Sequence, residues 1–206
     1  LASLRIRAES VEPAEERQRM IATIEEMTIM LDDTLALARS GRASEPARSI
    51  DLTALADAVV EEFRALGHDV EMEECPRLTA AIQPNLLRRA LRNLVENGIK
   101  YGGAVQVAVR PSGERIAIEV SDRGPGIPEA EFDNVQEPFV RLEASRNRGT
   151  GGSGLGLALA RGAAEAHGGT LVLENRPEGG LRVRILVPEG SGRAALARGP
   201  SVGTPS

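Results

Sequence analysis

Three short polar and glycine-rich motifs follow one another in a fixed order in this chain of 206 residues. They occupy residues 93–101, 122–126 and 151–157. Each motif alone is weak evidence, because aspartate, asparagine and glycine are also the common residues of ordinary turns. In this order they predict a pocket built from a polar helix face, an acidic tight turn and a glycine-rich helix start.

The first motif places a polar stripe on a helix that we predict from Pro84 to Lys100. Asn93, Asn97 and Lys100 are spaced i, i+4 and i+7, so their side chains project from one face. An asparagine carbonyl oxygen is a hard ligand that suits Mg²⁺, and a lysine ammonium neutralises phosphate oxygens. A solvated helix face is the alternative interpretation. Gly98 is unfavourable inside a helix, which indicates a close approach to the backbone there.

The second motif is an acidic turn after a strand predicted at residues 116–120. Asp122 follows that strand, and Gly124 and Gly126 supply the backbone freedom of a tight turn. A carboxylate in this position can accept a hydrogen bond from an exocyclic amine, which would select adenine. An ordinary turn is again the alternative.

The third motif brings bare backbone amides to the start of a helix predicted at residues 154–167. Unpaired N–H groups and the helix dipole attract phosphate at such a helix start. Gly149, Gly151 and Gly154 match the pattern G-x-G-x-x-G, but no strand precedes them, so the dinucleotide-binding motif lacks its structural context. A Walker-type loop requires Gly-Lys, and the only lysine, Lys100, follows Ile99.

Apolar periodicity predicts an α+β fold for residues 50–188, a two-layer sandwich in which a mixed sheet packs on helices. A further helix is predicted to end near Leu66, with apolar positions Leu55, Ala58, Val59 and Phe63. The other predicted strands are residues 69–73, 78–82, 104–109, 170–174 and 181–187. Turns are predicted at residues 111–113 and 177–180. Residues 127–152 have little periodicity and are expected to form a lid, fastened to the body by Phe132 and Phe139.

Residues 1–39 are predicted to be part of a helical hairpin, followed by a linker at residues 40–49. The long helix of this hairpin carries a seam with alternating spacings of three and four, formed by Ile21, Ile24, Thr28, Leu31, Leu35 and Ala38. One copy cannot bury such a seam, so we expect a homodimer through the hairpin. Residues 189–206 are rich in small and polar residues and are predicted to be disordered.

Composition narrows the class of protein. The net charge of -5 and the lack of a basic stripe argue against nucleic-acid binding. No apolar run approaches the ~18 residues that span a bilayer, so we expect no membrane contact by these residues. Cys75 is the only cysteine, which excludes an internal disulfide and fits a reducing compartment. A cytoplasmic location is therefore expected.

Together with the stretch Phe139-Val-Arg141, which precedes the third motif, the motifs resemble the N, G1, F and G2 boxes of bacterial sensor histidine kinases in that order. The ATP-binding domain of that family belongs to the group shared with gyrase, Hsp90 and MutL. The resemblance covers residues 50–188, and residues 1–6 and 13–39 resemble part of the dimerisation hairpin. It implies a catalytic core that transfers the γ-phosphoryl group of ATP to a histidine and then to the receiver domain of a response regulator.

The same resemblance implies roles for single residues. Asn97 would coordinate Mg²⁺, and Asp122 would bind the adenine amino group. The other residues implied to bind ATP are Asn93, Lys100, Tyr101, Gly124, Gly126, Ile127, Arg141, Gly152, Gly154, Leu155, Gly156 and Leu157. Among them, Asn93, Lys100 and Tyr101 would line the triphosphate and ribose, and the glycines from Gly152 onward would form the lid hinge and phosphate contact.

In the family, the phosphorylated histidine lies a few residues before the position of Leu1, and it is absent from this chain. His68 precedes a strand and His167 ends a helix, where a structural histidine is common in the family. We therefore expect this chain to bind Mg-ATP without phosphorylating itself. In the full-length protein, we expect the phosphoacceptor histidine, and a segment that can anchor the protein in a membrane, to precede Leu1.

Two alternatives remain open from the sequence. One is a non-catalytic, dimeric ATP-binding module that recruits a partner. The other is an ATPase of the gyrase and Hsp90 type, but those enzymes carry a glutamate base where Asn93 stands here. Glu96 lies on a different helix face and does not replace it.

Overall fold

The computed structural model describes residues 14–21, 23, 24, 27, 31, 45–142 and 153–189. The described residues before position 45 are helical from residue 14 to residue 31. In the described part from residue 45 onward, the helices are α1 (Leu52–Ala65), α2 (Pro84–Gly102) and α3 (Gly156–Ala166). The strands are β1 (Arg48–Asp51), β2 (Val70–Met72), β3 (Thr79–Ile82), β4 (Val105–Ser112), β5 (Arg115–Asp122), β6 (Thr170–Asn175) and β7 (Leu181–Pro188). Short 3₁₀ helices occupy Glu129–Glu131 and Asn134–Gln136.

Five strands form a mixed sheet in the order β2-β4-β5-β7-β6. β2 and β4 are parallel, whereas the other neighbouring pairs are antiparallel. Buried side chains of the helices and the sheet form one apolar core, with Leu52 and Leu91 from helices and Ile118 and Ile185 from strands. The predicted α+β sandwich, a mixed sheet packed on helices, is thus confirmed.

Helix α1 begins where the sequence supplies a cap. The Asp51 side chain accepts a hydrogen bond from the Ala54 N–H at 3.0 Å, which satisfies one of the donors that the first turn leaves open. Its buried residues are Leu52, Ala56, Val59, Val60 and Phe63. Ala58, which we predicted to be apolar and inward, is exposed. The prediction was wrong because the buried stripe runs along Ala56, Val59 and Val60, which turns Ala58 outward.

The end of the predicted linker lies in a strand. Arg48 and Ser49, predicted to belong to the linker, lie in β1 and pair with Ile82 and Ala81 of β3. A strand of four residues with an exposed start shows no clear alternation, so the sequence did not reveal it.

Pro111, predicted to be in a turn, lies in β4 and is paired with Ile116. β2 pairs with β4 only from Val105 to Val107, so Pro111 lies where β4 is an edge. A proline that lacks its N–H is tolerated at such an edge.

The predicted lid is described as far as Leu142. Phe132 packs against the core as expected, but Phe139 is 58% exposed and does not fasten the segment by its ring. Its N–H instead donates to the Gly154 carbonyl at 3.0 Å. The predictions for residues 143–152 and for the tail after residue 189 lie outside the described residues, as do those for Thr28, Leu35 and Ala38. Within the described part, no helix has the length and apolar composition needed to cross a membrane.

Candidate nucleotide-binding site

The polar stripe of α2 lies beside the buried face of the helix. Asn93, Asn97 and Lys100 are half-buried, and Tyr101 is 40% exposed. The buried face is formed by Leu87, Ala90, Leu91, Leu94, Val95 and Gly98. The three polar side chains therefore lie at the margin of the core. The alternative, a solvated helix face, would leave them fully exposed.

The first and third motifs meet at one contact. A Cβ atom on Gly156, the first residue of α3, would lie 2.8 Å from Asn97 Nδ2. The bare backbone of Gly156 thus makes room for the Asn97 amide at the start of α3. This start is also where helical N–H groups attract an anion.

The end of α2 packs against the second motif through three glycines. A Cβ on Gly98 would lie 2.7 Å from Val105 Cγ2, which confirms the expected close approach and identifies its cause as a protein side chain. A Cβ on Gly102 would lie 2.7 Å from the Arg123 nitrogen, and one on Gly124 would lie 2.8 Å from the Tyr101 carbonyl oxygen. We call residues 122–127 the Asp122 turn; its backbone touches the end of α2.

Asp122 ends β5 and is only 9% exposed. Its Oδ1 accepts hydrogen bonds from the Gly124 N–H at 2.7 Å and from the Leu181 N–H at 3.2 Å. Burial raises the pKa of the Asp122 carboxyl above its ordinary value, while those two bonds and the charge of Arg176 offset part of the rise. Among the described residues no donor is assigned to Oδ2, so this oxygen is the one available to an exocyclic amine.

The turn between β6 and β7 forms the other wall of the Asp122 turn. The Arg176 guanidinium donates to the Asp122 carbonyl oxygen at 2.8 Å, and a Cβ on Gly180 would clash with that same oxygen. Asn175 bonds the main chain of Ile127. We did not predict these residues because residues 177–180 read as an ordinary hairpin turn. Only the order of the sheet, which places β7 beside β5, brings them here.

The start of α3 contacts the last described part of the predicted lid. Gly154 has a φ of +70°, and a Cβ there would lie 3.0 Å from the Val140 carbonyl oxygen. Phe139 also has a positive φ, of 66°, which is rare for a bulky residue. Phe139 and Val140 on one side of residues 143–152 thus lie close to Gly154 on the other.

The remaining candidate residues of the third motif differ in their exposure. Leu155 is fully buried and its N–H donates to the Ser153 hydroxyl at 3.2 Å, whereas Leu157 is half-buried against the core. Arg141 is half-buried, and Gly152 lies outside the described residues.

The donor and acceptor groups of α2 fit a nucleotide with its metal. Asn93 Nδ2 is buried and has no hydrogen-bond partner among the described residues, so a ligand oxygen would satisfy it. No cluster of three or more acidic, histidine or cysteine side chains that could hold a metal occurs in the described part. Mg²⁺ commonly takes one or two protein oxygens and completes its shell with phosphates and water, and the Asn97 carbonyl oxygen suits that arrangement.

His167 has both ring nitrogens in backbone hydrogen bonds. Nε2 accepts from the Gln83 N–H at 2.9 Å, and Nδ1 lies 2.6 Å from the Ala163 carbonyl oxygen, to which it donates. Burial lowers the pKa of His167, and its bond to Ala163 offsets part of this shift. The ring is therefore neutral and joins the end of α3 to the start of α2, as a structural histidine does.

Comparison with known proteins relates this geometry to one family. The sequence model of the family described as "Histidine kinase-, DNA gyrase B-, and HSP90-like ATPase" matches residues 82–191. The chain is 32% identical over 188 residues to the sensor histidine kinase GtrS of Pseudomonas aeruginosa, covering 91% of this chain and 39% of that protein. It is 34% identical over 176 residues to the sensor protein CutS of Streptomyces coelicolor, covering 82% and 42%. The chain thus spans about 40% of the length of these relatives.

Solved structures agree with the fold. The ATP binding domain of PrrB from Mycobacterium tuberculosis is 32% identical and superposes with a TM-score of 0.60, covering 71% of this chain and all of that domain. The histidine kinase domain of the Escherichia coli osmosensor EnvZ is 28% identical with a TM-score of 0.58, covering 78% of this chain and 98% of that one. The chain belongs to the histidine kinase-, DNA gyrase B- and HSP90-like ATPase family, and within that family it resembles the sensor histidine kinases.

Proposed function

We propose that this chain is the catalytic ATP-binding core of a sensor histidine kinase. It binds Mg-ATP and transfers the γ-phosphoryl group to a histidine, from which a response-regulator receiver domain takes it. The observation that carries the proposal is the meeting of the motifs: the Asn97 amide lies against Gly156 at the start of α3, while the end of α2 packs on the Asp122 turn.

The roles of the residues follow from their donors and acceptors. Asp122 Oδ2 accepts a hydrogen bond from the exocyclic amine of adenine. Asn93 Nδ2 donates to an oxygen of the bound nucleotide, and Lys100 neutralises phosphate charge. Asn97 holds Mg²⁺, which supplies charge neutralisation on the phosphate oxygens.

Phosphoryl transfer needs positioning and electrostatic stabilisation more than covalent chemistry by the protein. Three features provide this positioning and stabilisation: the polar face of α2, the Asp122 carboxylate and the start of α3. The start of α3 offers its backbone N–H groups to phosphate, and Arg141 assists in binding it. Gly152, Gly154 and Gly156 supply the hinge and the phosphate contact at the end of the lid, beside Leu155 and Leu157.

A transfer assay tests the proposal. The chain is mixed with Mg²⁺, γ-labelled ATP and a separately produced hairpin that carries the phosphoacceptor histidine of a relative. We expect acid-labile label on the hairpin, and its loss in Asn97→Ala, which removes the proposed Mg²⁺ ligand. Asn85→Ala, on the same helix but about 18 Å away by the helical rise of 12 residues, is the matched control and keeps the transfer.

The other outcomes separate the alternatives. Nucleotide binding without transfer would favour the non-catalytic module, and rapid hydrolysis without an acceptor would favour a gyrase-type ATPase. Absence of nucleotide binding would overturn the proposal altogether.

We also infer that the 206-residue chain does not phosphorylate itself. Its two histidines are His68 and His167, and the ring nitrogens of His167 are bonded to Gln83 and Ala163. Label on the chain alone, mapped to either histidine, would contradict this inference.

Dimerisation through the N-terminal helix is part of the same proposal. Met20, Met27 and Leu31 lie on this helix with 43%, 51% and 52% of their surface exposed. A second copy would cover these apolar side chains. Sedimentation analysis of the chain and of Leu31→Glu tests this, with a dimer for the first and a monomer for the second.

A further inference from the structure

The side chain of Asn175 binds both main-chain groups of one residue in the Asp122 turn. Asn175 is the last residue of β6, 48 positions after Ile127. Its Oδ1 accepts a hydrogen bond from the Ile127 N–H at 3.0 Å, and its Nδ2 donates to the Ile127 carbonyl oxygen at 2.7 Å. Only one orientation of the Asn175 amide satisfies both bonds, so these bonds define that orientation.

The neighbouring glycine fits closely under this amide. Gly126 has a φ of +72°, and a Cβ there would lie 2.5 Å from Asn175 Oδ1. The lack of a side chain at Gly126 therefore leaves room for the side chain of Asn175. The same amide thus bonds the main chain of Ile127 and packs closely against Gly126.

The two halves of the Asp122 turn are held by different groups. Asp122 is held by the N–H groups of Gly124 and Leu181 and by Arg176. At Ile127, the hydrogen bonds that hold the turn within the described residues come from Asn175. Because Gly126 has no side chain to restrict its backbone, this part of the turn has other conformations open to it once that amide is lost.

We propose that Asn175 is a positioning residue for nucleotide recognition: it holds the Asp122 turn in the conformation in which the Asp122 carboxylate meets adenine. The inference rests on the proposed function of Asp122. Asn175, at the end of β6 and outside the three motifs, thereby contributes to the selection of adenine over other bases.

The experiment uses Asn175→Asp, which keeps the shape and the acceptor Oδ1 but replaces the donor with an oxygen that repels the Ile127 carbonyl. We expect the Kd for ATP to rise about tenfold, as for the loss of one buried hydrogen bond. The preference for ATP over GTP should fall by a similar factor, because GTP has a carbonyl where adenine has its amine. Competition by inorganic tripolyphosphate should stay unchanged, since it does not contact the Asp122 turn. Asn85→Asp, which adds the same charge at the start of α2, is the matched control.

A merely structural role gives a different pattern. If Asn175→Asp weakens ATP, GTP and tripolyphosphate by the same factor, or leaves the ATP-to-GTP preference unchanged, the positioning role is overturned. Asn175→Ala removes both bonds without adding charge and should lose selectivity in the same way, so the test does not depend on the folding of one variant. A wild-type chain that binds no ATP would instead refute the proposed function itself, and this inference with it.

Discussion

Replacing Asp122 with asparagine separates the binding role of this carboxylate from its effect on stability. In the Asp122→Asn variant, the side-chain amide would keep Oδ1 as acceptor for the Gly124 and Leu181 N–H groups, which lie 2.7 and 3.2 Å from that oxygen in the wild-type chain. The amide nitrogen Nδ2 would then stand where Oδ2 stands now. The adenine amine would meet a donor in place of an acceptor.

The magnitude follows from that exchange. A hydrogen bond to a charged group contributes about 1.5–3 kcal/mol, and a buried donor left unsatisfied costs about 1–3 kcal/mol. A combined loss of about 3–4 kcal/mol corresponds to a Kd for ATP roughly 100-fold to 1000-fold higher.

Stability should move in the opposite direction. Because burial raises the pKa of Asp122 in the folded state, the stability linked to this group is complete below its ordinary value of 3.8 and is lost as the pH rises through the folded-state pKa. At pH 7 the wild-type chain therefore carries the full cost of a buried carboxylate, and the asparagine variant does not. We expect an equal or higher free energy of unfolding for Asp122→Asn.

Calorimetric titration with Mg-ATP and urea denaturation at pH 7 measure the two quantities. Asp57→Asn, which removes an exposed carboxylate on α1, is the control and should leave the Kd unchanged. An ATP affinity of Asp122→Asn within about threefold of wild type would refute the reasoning, since it would mean that no acceptor is needed at this position.

Three further predictions concern other parts of the molecule. Gly156→Ala should lower Mg-ATP affinity in titration with little loss of stability, because its Cβ would displace Asn97 Nδ2, the end of a side chain that can shift; unchanged affinity would contradict the role of the Asn97 contact. An amine-reactive reagent should modify Lys100, the only lysine, and Mg-ATP should protect it, as peptide mapping would show; equal labelling with and without nucleotide would place Lys100 outside the site. Burial lowers the pKa of His167, so the free energy of unfolding should fall as the pH drops below 6.5 toward the folded-state pKa, and His167→Gln should flatten this slope in urea denaturation; an unaltered slope would contradict the assignment.

Local patterns were sufficient for most of the secondary structure. Residues 84–100 and 116–120 were predicted as helix and strand, and the structure has them within α2 and β5. β1 was missed because four half-exposed residues show no period, and Pro111 was misassigned because its tolerance depends on where β2 ends. These errors share a physical cause: an edge of a sheet is defined by its neighbours and not by its own residues.

The sequence by itself determined the three motifs, their order and the α+β class, since spacing along a helix and alternation along a strand are local properties. Only the tertiary structure decided which turns and helix ends lie against one another. The sheet order β5-β7-β6 sets the β6–β7 turn against Asp122, so Asn175, Arg176 and Gly180 complete a wall that no local pattern marks. Contacts across 48 or more positions depend on how strands pair over long distances, and that pairing is settled by the packing of the whole core.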